Sequence, residues 1–373
     1  MDIWTRYFDP AASLVTEFMA AAVGPQASVA TVYHQCAVFA DKQYHSILQS
    51  PDAIKWKLYA ERKEKEIQHR KEQMSRTQSG SIFSELKRDQ DKAEKLLRED
   101  MQRYRKHNES LSTMLQQAID MYSRCLQAAD NWDNDGHIRL VSLWFANFND
   151  NDLQEKIRPS IDRIPSRKFV FLAHQLSARL AKPAIDPVSG SQETLQNLIV
   201  RMCREHPFHS LYQVYCLRPS PGATSGGRRS SARLDITLSH GERAAAAADI
   251  FDRLRADASS SQRLIDVENV CDAYLQWAKR PIKGSVEKGR AGPYEIPSDM
   301  LILKLRDVRV PVLTVNTPVD TTLQYQNCTW VSHYERNFDT AGGINIPKIC
   351  YCRGSDGVKY KQLVSIRPFY FSG

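Results

Sequence analysis

The chain has 373 residues, of which 42% are hydrophobic and 25% are charged, a balance typical of a folded soluble protein with room for two domains. Its formal charge of +8 comes from 51 basic and 43 acidic residues. Because this mild excess is spread over the whole length, direct binding of nucleic acid by this chain is not expected.

The chain start and the cysteines bear on location. Residues Met1 to Trp4 lack a basic region, and the alanine-rich stretch after them is interrupted by Glu17 and by Gly24-Pro25, so no signal peptide or membrane span is predicted. The expected location is therefore the nucleus or the cytoplasm. The cysteines show no CxxC pair and no zinc-ligand spacing, so mostly buried thiols in a reducing compartment are predicted. They are Cys36, Cys125, Cys203, Cys216, Cys271, Cys328, Cys350 and Cys352.

Helical periodicity dominates the first 217 residues, where apolar residues recur every three or four positions. Small polar residues from Ser75 to Ser81 predict a loop between two helices, and the turn formers Asn131 to Gly136 predict a second break. The helix between these breaks has the clearest apolar stripe. The predicted stripe is Phe83, Leu86, Ala93, Leu97, Met101, Tyr104, Leu111, Leu115 and Tyr122.

These helices are expected to form antiparallel pairs that stack as a solenoid-like array, because no pair could bury its apolar face alone. An exposed apolar helix at Met1 would leave one end of such an array open to water. We therefore expect that Met1 is not the natural start of the array.

The next region alternates breaks and helix. Pro219 to Ser231 is rich in Pro, Gly and Ser and predicts a flexible insert, in which a disordered loop is favoured over an anion or nuclear-import contact for its arginines. Helical spacing returns from Ala244 to Trp277, and Pro281 to Pro297 reads as a linker.

After Pro297 the period becomes alternating, which predicts an antiparallel sheet. Strands are predicted at Val310 to Val315, Leu323 to Val331, Ile349 to Arg353 and Val358 to Val364. Gly354-Ser355-Asp356-Gly357 favours a tight hairpin between the last two. The predicted fold class is α+β: a mostly helical scaffold followed by a small antiparallel β layer.

Several motifs resemble the ATM branch of the phosphatidylinositol-3-kinase-related protein kinases. Those similar to the closing part of the family's FAT domain are Ile164-Pro165-Ser166-Arg167-Lys168-Phe169, His174-Gln175-Leu176-Ser177-Ala178-Arg179 and His206-Pro207-Phe208-His209-Ser210-Leu211. Those similar to the start of its kinase domain are Val270-Cys271-Asp272-Ala273-Tyr274, Ala341-Gly342-Gly343-Ile344-Asn345-Ile346-Pro347-Lys348-Ile349 and Gly354-Ser355-Asp356-Gly357.

The resemblance implies four regions: 1–217 as the C-terminal part of the FAT domain, 218–297 as insert, helices and linker, 298–364 as the start of the kinase N-lobe, and 365–373 as a divergent tail. It also implies a parent enzyme that uses ATP and magnesium to phosphorylate Ser or Thr followed by Gln. The implied setting is nuclear, in DNA double-strand-break signalling and telomere maintenance, with protein substrates and a break-sensing complex as partners.

By the same resemblance, one segment matches the glycine-rich loop that closes over ATP phosphates. It consists of Thr340, Ala341, Gly342, Gly343, Ile344, Asn345 and Ile346. Paired glycines let backbone N–H groups approach an anion without a Cβ in the way, although an ordinary hairpin turn also explains a Gly-Gly pair.

Lys348 invites assignment as the ATP lysine, since a lysine is a usual phosphate partner. The resemblance instead puts that lysine directly after Gln362-Leu363-Val364, where this sequence has Ser365. No residues here match the family's catalytic loop or metal-binding Asp. The chain itself is therefore expected to be inactive and to bind no cofactor, and the tail from Ser365 to Gly373 is expected not to be the authentic continuation.

Other chemically suggestive residues are predicted to be structural. His206 and His209 favour helix-start and packing roles, because no ligand set or nucleophile accompanies them. Trp132, Trp144 and Trp277 favour core positions. Cys350 and Cys352 alternate on one strand and are expected to pack on the same side of the sheet. The alternative function is a freestanding helical-repeat interaction scaffold without kinase activity.

Overall fold

The structure is a computed structural model that describes residues 3–20, 26–76, 80–181, 190–218, 231–281, 292–341 and 346–365. Its contacts divide the chain into two compact units, Met1–Ile164 and Pro165–Gly373. Helices precede a small antiparallel sheet, so the predicted α+β class is confirmed. The boundary between the units differs from the predicted domain boundary at residue 217, and the four predicted domains stay predictions.

The regular structure described for the first unit is all helical. A short π-helical segment, Trp4–Phe8, leads into α1. The helices are α1 (Asp9–Ala20), α2 (Gln26–Leu48), α3 (Pro51–Arg76), α4 (Gly80–Ala128), α5 (Asp133–Ala146) and α6 (Asn151–Arg163). The predicted break within 75–81 is confirmed by the end of α3 and the start of α4.

Helices α3 and α4 run antiparallel. A residue nearer the end of α3 contacts a residue nearer the start of α4. Lys63 Nζ is 2.8 Å from Asp100 Oδ2, and Arg70 Nη1 donates to the carbonyl of Asp89 at 2.9 Å. Most of the predicted α4 stripe is buried or half-buried, including Ala93, Leu115 and Tyr122, while the side chain of Phe83 lies outside the described residues. The prediction is wrong for Met101, whose side chain is 49% exposed and borders an open groove on α4.

The predicted break at Asn131 to Gly136 is too long. Helix α5 already begins at Asp133, and its acidic first turn suits the positive end of the helix dipole. Gly136 lies inside this helix for a packing reason: a Cβ there would come within 3.2 Å of Leu126 Cδ2. The close approach of α5 to the end of α4 therefore favours glycine at a position that looks like a turn.

The second unit begins with a 3₁₀ segment, Ser166–Leu172. Its helices are α7 (Ala173–Ser177), α8 (Gly190–Glu205), α9 (Pro207–Tyr215), α10 (Ser231–Ala256) and α11 (Ala258–Lys279). The helical region predicted from Ala244 to Trp277 is confirmed, as two helices separated at Asp257, whose carboxylate accepts from the N–H of Ser259 at 3.0 Å. The predicted insert lies outside the described residues except for Ser231, which begins α10.

In the described residues the sheet has six strands, all paired antiparallel. They are β1 (Tyr294–Glu295), β2 (Arg306–Pro311), β3 (Trp330–Tyr334), β4 (Asn337–Thr340), β5 (Lys348–Gly354) and β6 (Lys359–Val364). Strands β3 and β4 pair with one edge of β5 and β6 pairs with the other, while β2 and β1 lie outside β3 and β4. A 3₁₀ turn, Leu301–Lys304, precedes β2.

Two of the four predicted strands are confirmed as β5 and β6. Their hairpin is also confirmed: Gly357 has φ +76° and donates to the carbonyl of Gly354 at 2.9 Å. A glycine is favoured at Gly357 because side-chain-bearing residues rarely adopt this positive φ.

The other two strand predictions are wrong in extent. The run from Val310 to Val315 leaves the sheet after Pro311, and within the run from Leu323 to Val331 only the end belongs to β3. Asp320 explains the second error, since its carboxylate accepts from the N–H groups of Thr322 at 2.8 Å and Tyr325 at 2.6 Å. These bonds hold a turn in which Leu323 and Tyr325 have positive φ. Strands β1 and β4 were not predicted.

Candidate functional site

The predicted glycine-rich loop connects β4 to β5. Thr340 pairs with Lys348, and the N–H of Ala341 donates to the carbonyl of Pro347 at 2.8 Å, which closes the stem of this hairpin. Ile346 is 36% exposed with φ +39°. The remaining four predicted site residues, Gly342, Gly343, Ile344 and Asn345, lie outside the described residues. Their role at a phosphate therefore stays a prediction.

One face of the sheet is covered by α11. The ring of Trp277 meets the ring of Phe338 edge-on, with centroids 4.9 Å apart. The hydroxyl of Tyr274 lies 2.7 Å from that of Tyr334 and also donates to Oε1 of Gln362. Burial raises the pKa of Tyr334 and of Tyr274 well above the ordinary tyrosine value, so both hydroxyls stay protonated and can donate.

The opposite face carries the alternate residues of β5 and β6. Ile349 pairs with Leu363, and Tyr351 pairs with Lys361. Leu363, the next-to-last residue of β6, is 64% exposed, whereas its partner Ile349 is buried. Position 365, which the family resemblance matches to the ATP lysine, directly follows the end of β6, and continued alternation would put it on the side of Leu363. This second face is called the open face below.

Lys348 belongs to the helix-covered face. Its Nζ donates to backbone carbonyls at the end of α11, at 3.1 Å for Ala278 and 2.5 Å for Arg280, and the side chain is only 4% exposed. The amine therefore cannot meet a phosphate on the open face without breaking these bonds. This agrees with the prediction that Lys348 is not the ATP lysine.

The two histidines take the predicted packing roles. His206 immediately precedes α9, is 1% exposed and lies 2.8 Å from the hydroxyl of Tyr325 through Nδ1. His209 contacts the same hydroxyl at 3.2 Å, and its Nε2 lies 2.9 Å from the carbonyl of Thr317. Tyr325 was missed at the sequence level, because its positive φ depends on a turn that no local apolar pattern indicates.

The remaining residues singled out from the sequence are mostly structural. Trp144 and Trp277 are buried as predicted, and Trp132 is half-buried with Nε1 donating to Thr31 at 3.1 Å. Five cysteines are buried, including Cys350 and Cys352, whereas Cys216 is exposed. Within the described ranges no cluster of three His, Cys, Asp or Glu side chains could hold a metal ion. None of the described helices is long and apolar enough to cross a membrane.

Comparison with known proteins gives no matching family model. The chain is 31% identical over 350 residues to the serine/threonine-protein kinase TEL1 of Cryptococcus neoformans, a match that covers 90% of this chain and 10% of that kinase. The chain belongs to the Tel1/ATM kinase family. It is also 30% identical over 338 residues to tel1 of Emericella nidulans and 30% identical over 261 residues to the serine-protein kinase ATM of Sus scrofa.

These matches cover most of this chain but only a small part of each relative. The Emericella match covers 89% of this chain and 11% of the relative, and the Sus scrofa match covers 67% and 8%. The chain thus spans about a tenth of the length of the curated relatives it matches. Among solved structures, the FAT and kinase domain of CtTel1 superposes with a TM-score of 0.67 at 22% identity, covering 96% of this chain and 24% of that one. This likeness shows a shared fold.

Proposed function

We propose that this chain supplies the end of the helical FAT scaffold and the first strands of the nucleotide-binding lobe of a Tel1/ATM-type kinase that phosphorylates Ser or Thr before Gln. The observation that carries the proposal is the 31% identity over 350 residues, a length that must include residues of both the helices and the sheet. The proposed scaffold ends near residue 217, and the proposed lobe spans 298–364.

The open face is the proposed nucleotide side of the lobe. Leu363 is 64% exposed and offers an apolar side chain of the kind that stacks against a base, beside its buried partner Ile349, and position 365 follows Leu363 by two residues. The residues Thr340 to Ile346 would lie over the phosphates, where backbone N–H groups favour an anion. ATP and magnesium are proposed as cofactors of the whole kinase, since phosphoryl transfer needs the metal to offset charge on the phosphates.

A polypeptide of these 373 residues is proposed to be inactive by itself. Phosphoryl transfer needs a phosphate-binding lysine, an oriented nucleophile and bound magnesium together. Position 365 holds serine, and the resemblance matches no residue here to the catalytic loop or the metal-binding Asp. The proposed contribution of this chain is positioning.

The proposed cellular role follows from the family alone. It places the whole kinase in the nucleus, in DNA double-strand-break checkpoint signalling and telomere maintenance, with protein substrates and a break-sensing complex as partners. A second candidate is a freestanding interaction scaffold, and the observation that favours it is Ser365 at the position matched to the lysine.

A segment exchange separates the two candidates. Residues 1–364 replace the homologous segment of the Cryptococcus TEL1, with that kinase's own sequence following, and phosphorylation of a Ser-Gln peptide is measured. We expect activity within about tenfold of unaltered TEL1. A segment that belongs to such a kinase should position the nucleotide-binding lobe nearly as well as the original segment does. A control exchange that keeps serine at position 365 should lose about a thousandfold or more.

The contrary result is a folded exchange protein that is no more active than its serine control. That outcome would favour the freestanding scaffold. The 373-residue chain alone, incubated with labelled ATP, magnesium and the same peptide, is expected to transfer no label.

A further inference from the structure

The amine of Lys348 lies at the C-terminal end of α11. Its Nζ donates to the carbonyl oxygens of Trp277, Ala278 and Arg280, the last two at 3.1 Å and 2.5 Å. The same nitrogen lies 4.5 Å from the centre of the Trp277 ring. An ammonium has three N–H donors and no acceptor, so these three carbonyls use its whole bonding capacity.

This position suits a cation. The last carbonyls of a helix lack partners within the helix, and they form the negative end of its dipole. The face of the Trp277 ring adds a further attraction for positive charge. Burial, with a smaller effect from Arg280, lowers the pKa of Lys348 to about 8, so the amine remains mostly protonated at neutral pH.

The backbone of Lys348 occupies a second junction. It pairs with Thr340 of β4 on one side and with Val364 of β6 on the other. The adjacent bond from Ala341 to Pro347 closes the stem of the β4–β5 hairpin. One residue therefore joins the end of α11, the hairpin stem and the strand that leads to position 365.

We propose that Lys348 is a positioning residue that fastens the β4–β5 hairpin to the C-terminal end of α11. The last helix before the sheet then sets where the hairpin lies, and a shift of the helix end moves the hairpin with it. The inference rests on the proposed function only in that this hairpin carries the predicted phosphate loop.

Hydrogen exchange of the full 373-residue chain tests the proposal. The variants are K348M, which removes the N–H donors and keeps the apolar stem, K348R, which restores charge and donors, and K361M. Lys361 is the matched control, because it is an exposed lysine on β6 opposite Tyr351, on the open face. Peptides covering the last turn of α11 and residues 337–341 are followed together with peptides of α10.

We expect K348M to speed exchange about tenfold in both the helix end and the hairpin stem, with less than about twofold change in α10. K348R should restore most of the protection, and K361M should match the unaltered chain. Should K348M not fold, K348L replaces it with the same expectation, because leucine likewise has no side-chain N–H donor. The proposal is overturned if the helix end loosens and the stem does not, if all peptides loosen equally, or if K348R behaves like K348M.

This measurement involves no nucleotide and no phosphate transfer. Its failure would remove the positioning role and leave the kinase assignment intact, whereas an inactive segment exchange would remove the assignment and leave the fastening of the hairpin intact.

Discussion

Arg139 of α5 forms a bidentate ion pair with Asp41 of α2, with Nε 2.9 Å from Oδ2 and Nη2 2.8 Å from Oδ1. Asp41 is 6% exposed and also accepts from the hydroxyl of Tyr122 on α4 at 3.2 Å. Three helices of the first unit therefore meet at one buried carboxylate. Removing the guanidinium would leave that charge with too little compensation.

The variant R139M should lower the free energy of unfolding by about 2 kcal/mol, less than for a fully buried pair because the Arg139 side chain is 39% exposed. Lys92 provides the control, since its pair with Asp89 is exposed and 3.9 Å long, and K92M should change stability by less than ~0.5 kcal/mol. Urea unfolding followed by far-ultraviolet circular dichroism measures both. Equal effects of the two variants would show that the Arg139 pair does not hold the three helices.

Acid should loosen α9 through His206. Burial lowers its pKa from 6.5 to about 4, with smaller effects from Glu205, His209, Arg167 and Asp320. The unfolded chain therefore takes up this proton first as pH falls. The stability contributed by neutral His206 is complete above pH 6.5 and is lost progressively as pH falls to about 4.

We expect the free energy of local opening at α9, from hydrogen exchange corrected for intrinsic rates, to fall about 2 kcal/mol more in the unaltered chain than in H206N across this window. Asparagine keeps a polar side chain beside Tyr325 without titrating. If the free energy of local opening falls by the same amount in both proteins, His206 does not control the acid response of this helix.

The β5–β6 hairpin should reject side chains at its two glycines for different reasons. A Cβ at Gly354 would lie 2.5 Å from Asp356 Oδ1 and 2.6 Å from Thr329 Cγ2, whereas Gly357 has open space but φ +76°. We expect G354A to lower the free energy of unfolding by about 2–3 kcal/mol and G357A to lower it by about 1 kcal/mol. Gly80 at the start of α4 has nothing within 4 Å, so G80A is the control. Thermal unfolding ranks the three, and a G354A cost no larger than that of G80A would contradict the packing argument.

Sequence periodicity predicted the elements whose neighbours reinforce the local pattern. Strands β5 and β6 alternate because one face lies under α11 and the other does not, and their turn carries the glycine that its φ requires. The long helix α4 was evident for the same reason, except at Met101, which is 49% exposed.

The failures come from interactions distant in the chain. Asp320 makes a turn out of an apolar run that reads as a strand, and β4 has Phe338 as its one large apolar residue, so nothing local separates it from a loop. The partners of Lys348 are backbone carbonyls about 70 residues earlier. Every residue has a backbone carbonyl, so the sequence does not indicate which carbonyls a lysine will contact. The role of Lys348 could therefore not be predicted from its neighbours in the sequence.

The most direct test of the central claim, that the open face of the sheet meets the nucleotide, is the KM for ATP of the segment-exchanged TEL1 carrying L363D. An aspartate on this face would set a negative charge beside the phosphates and remove apolar contact with the base, so KM should rise about tenfold or more. Leu275, a 40% exposed leucine on α11, provides the control L275D, whose KM should not change. An unchanged KM in L363D, with full activity retained, would contradict the account.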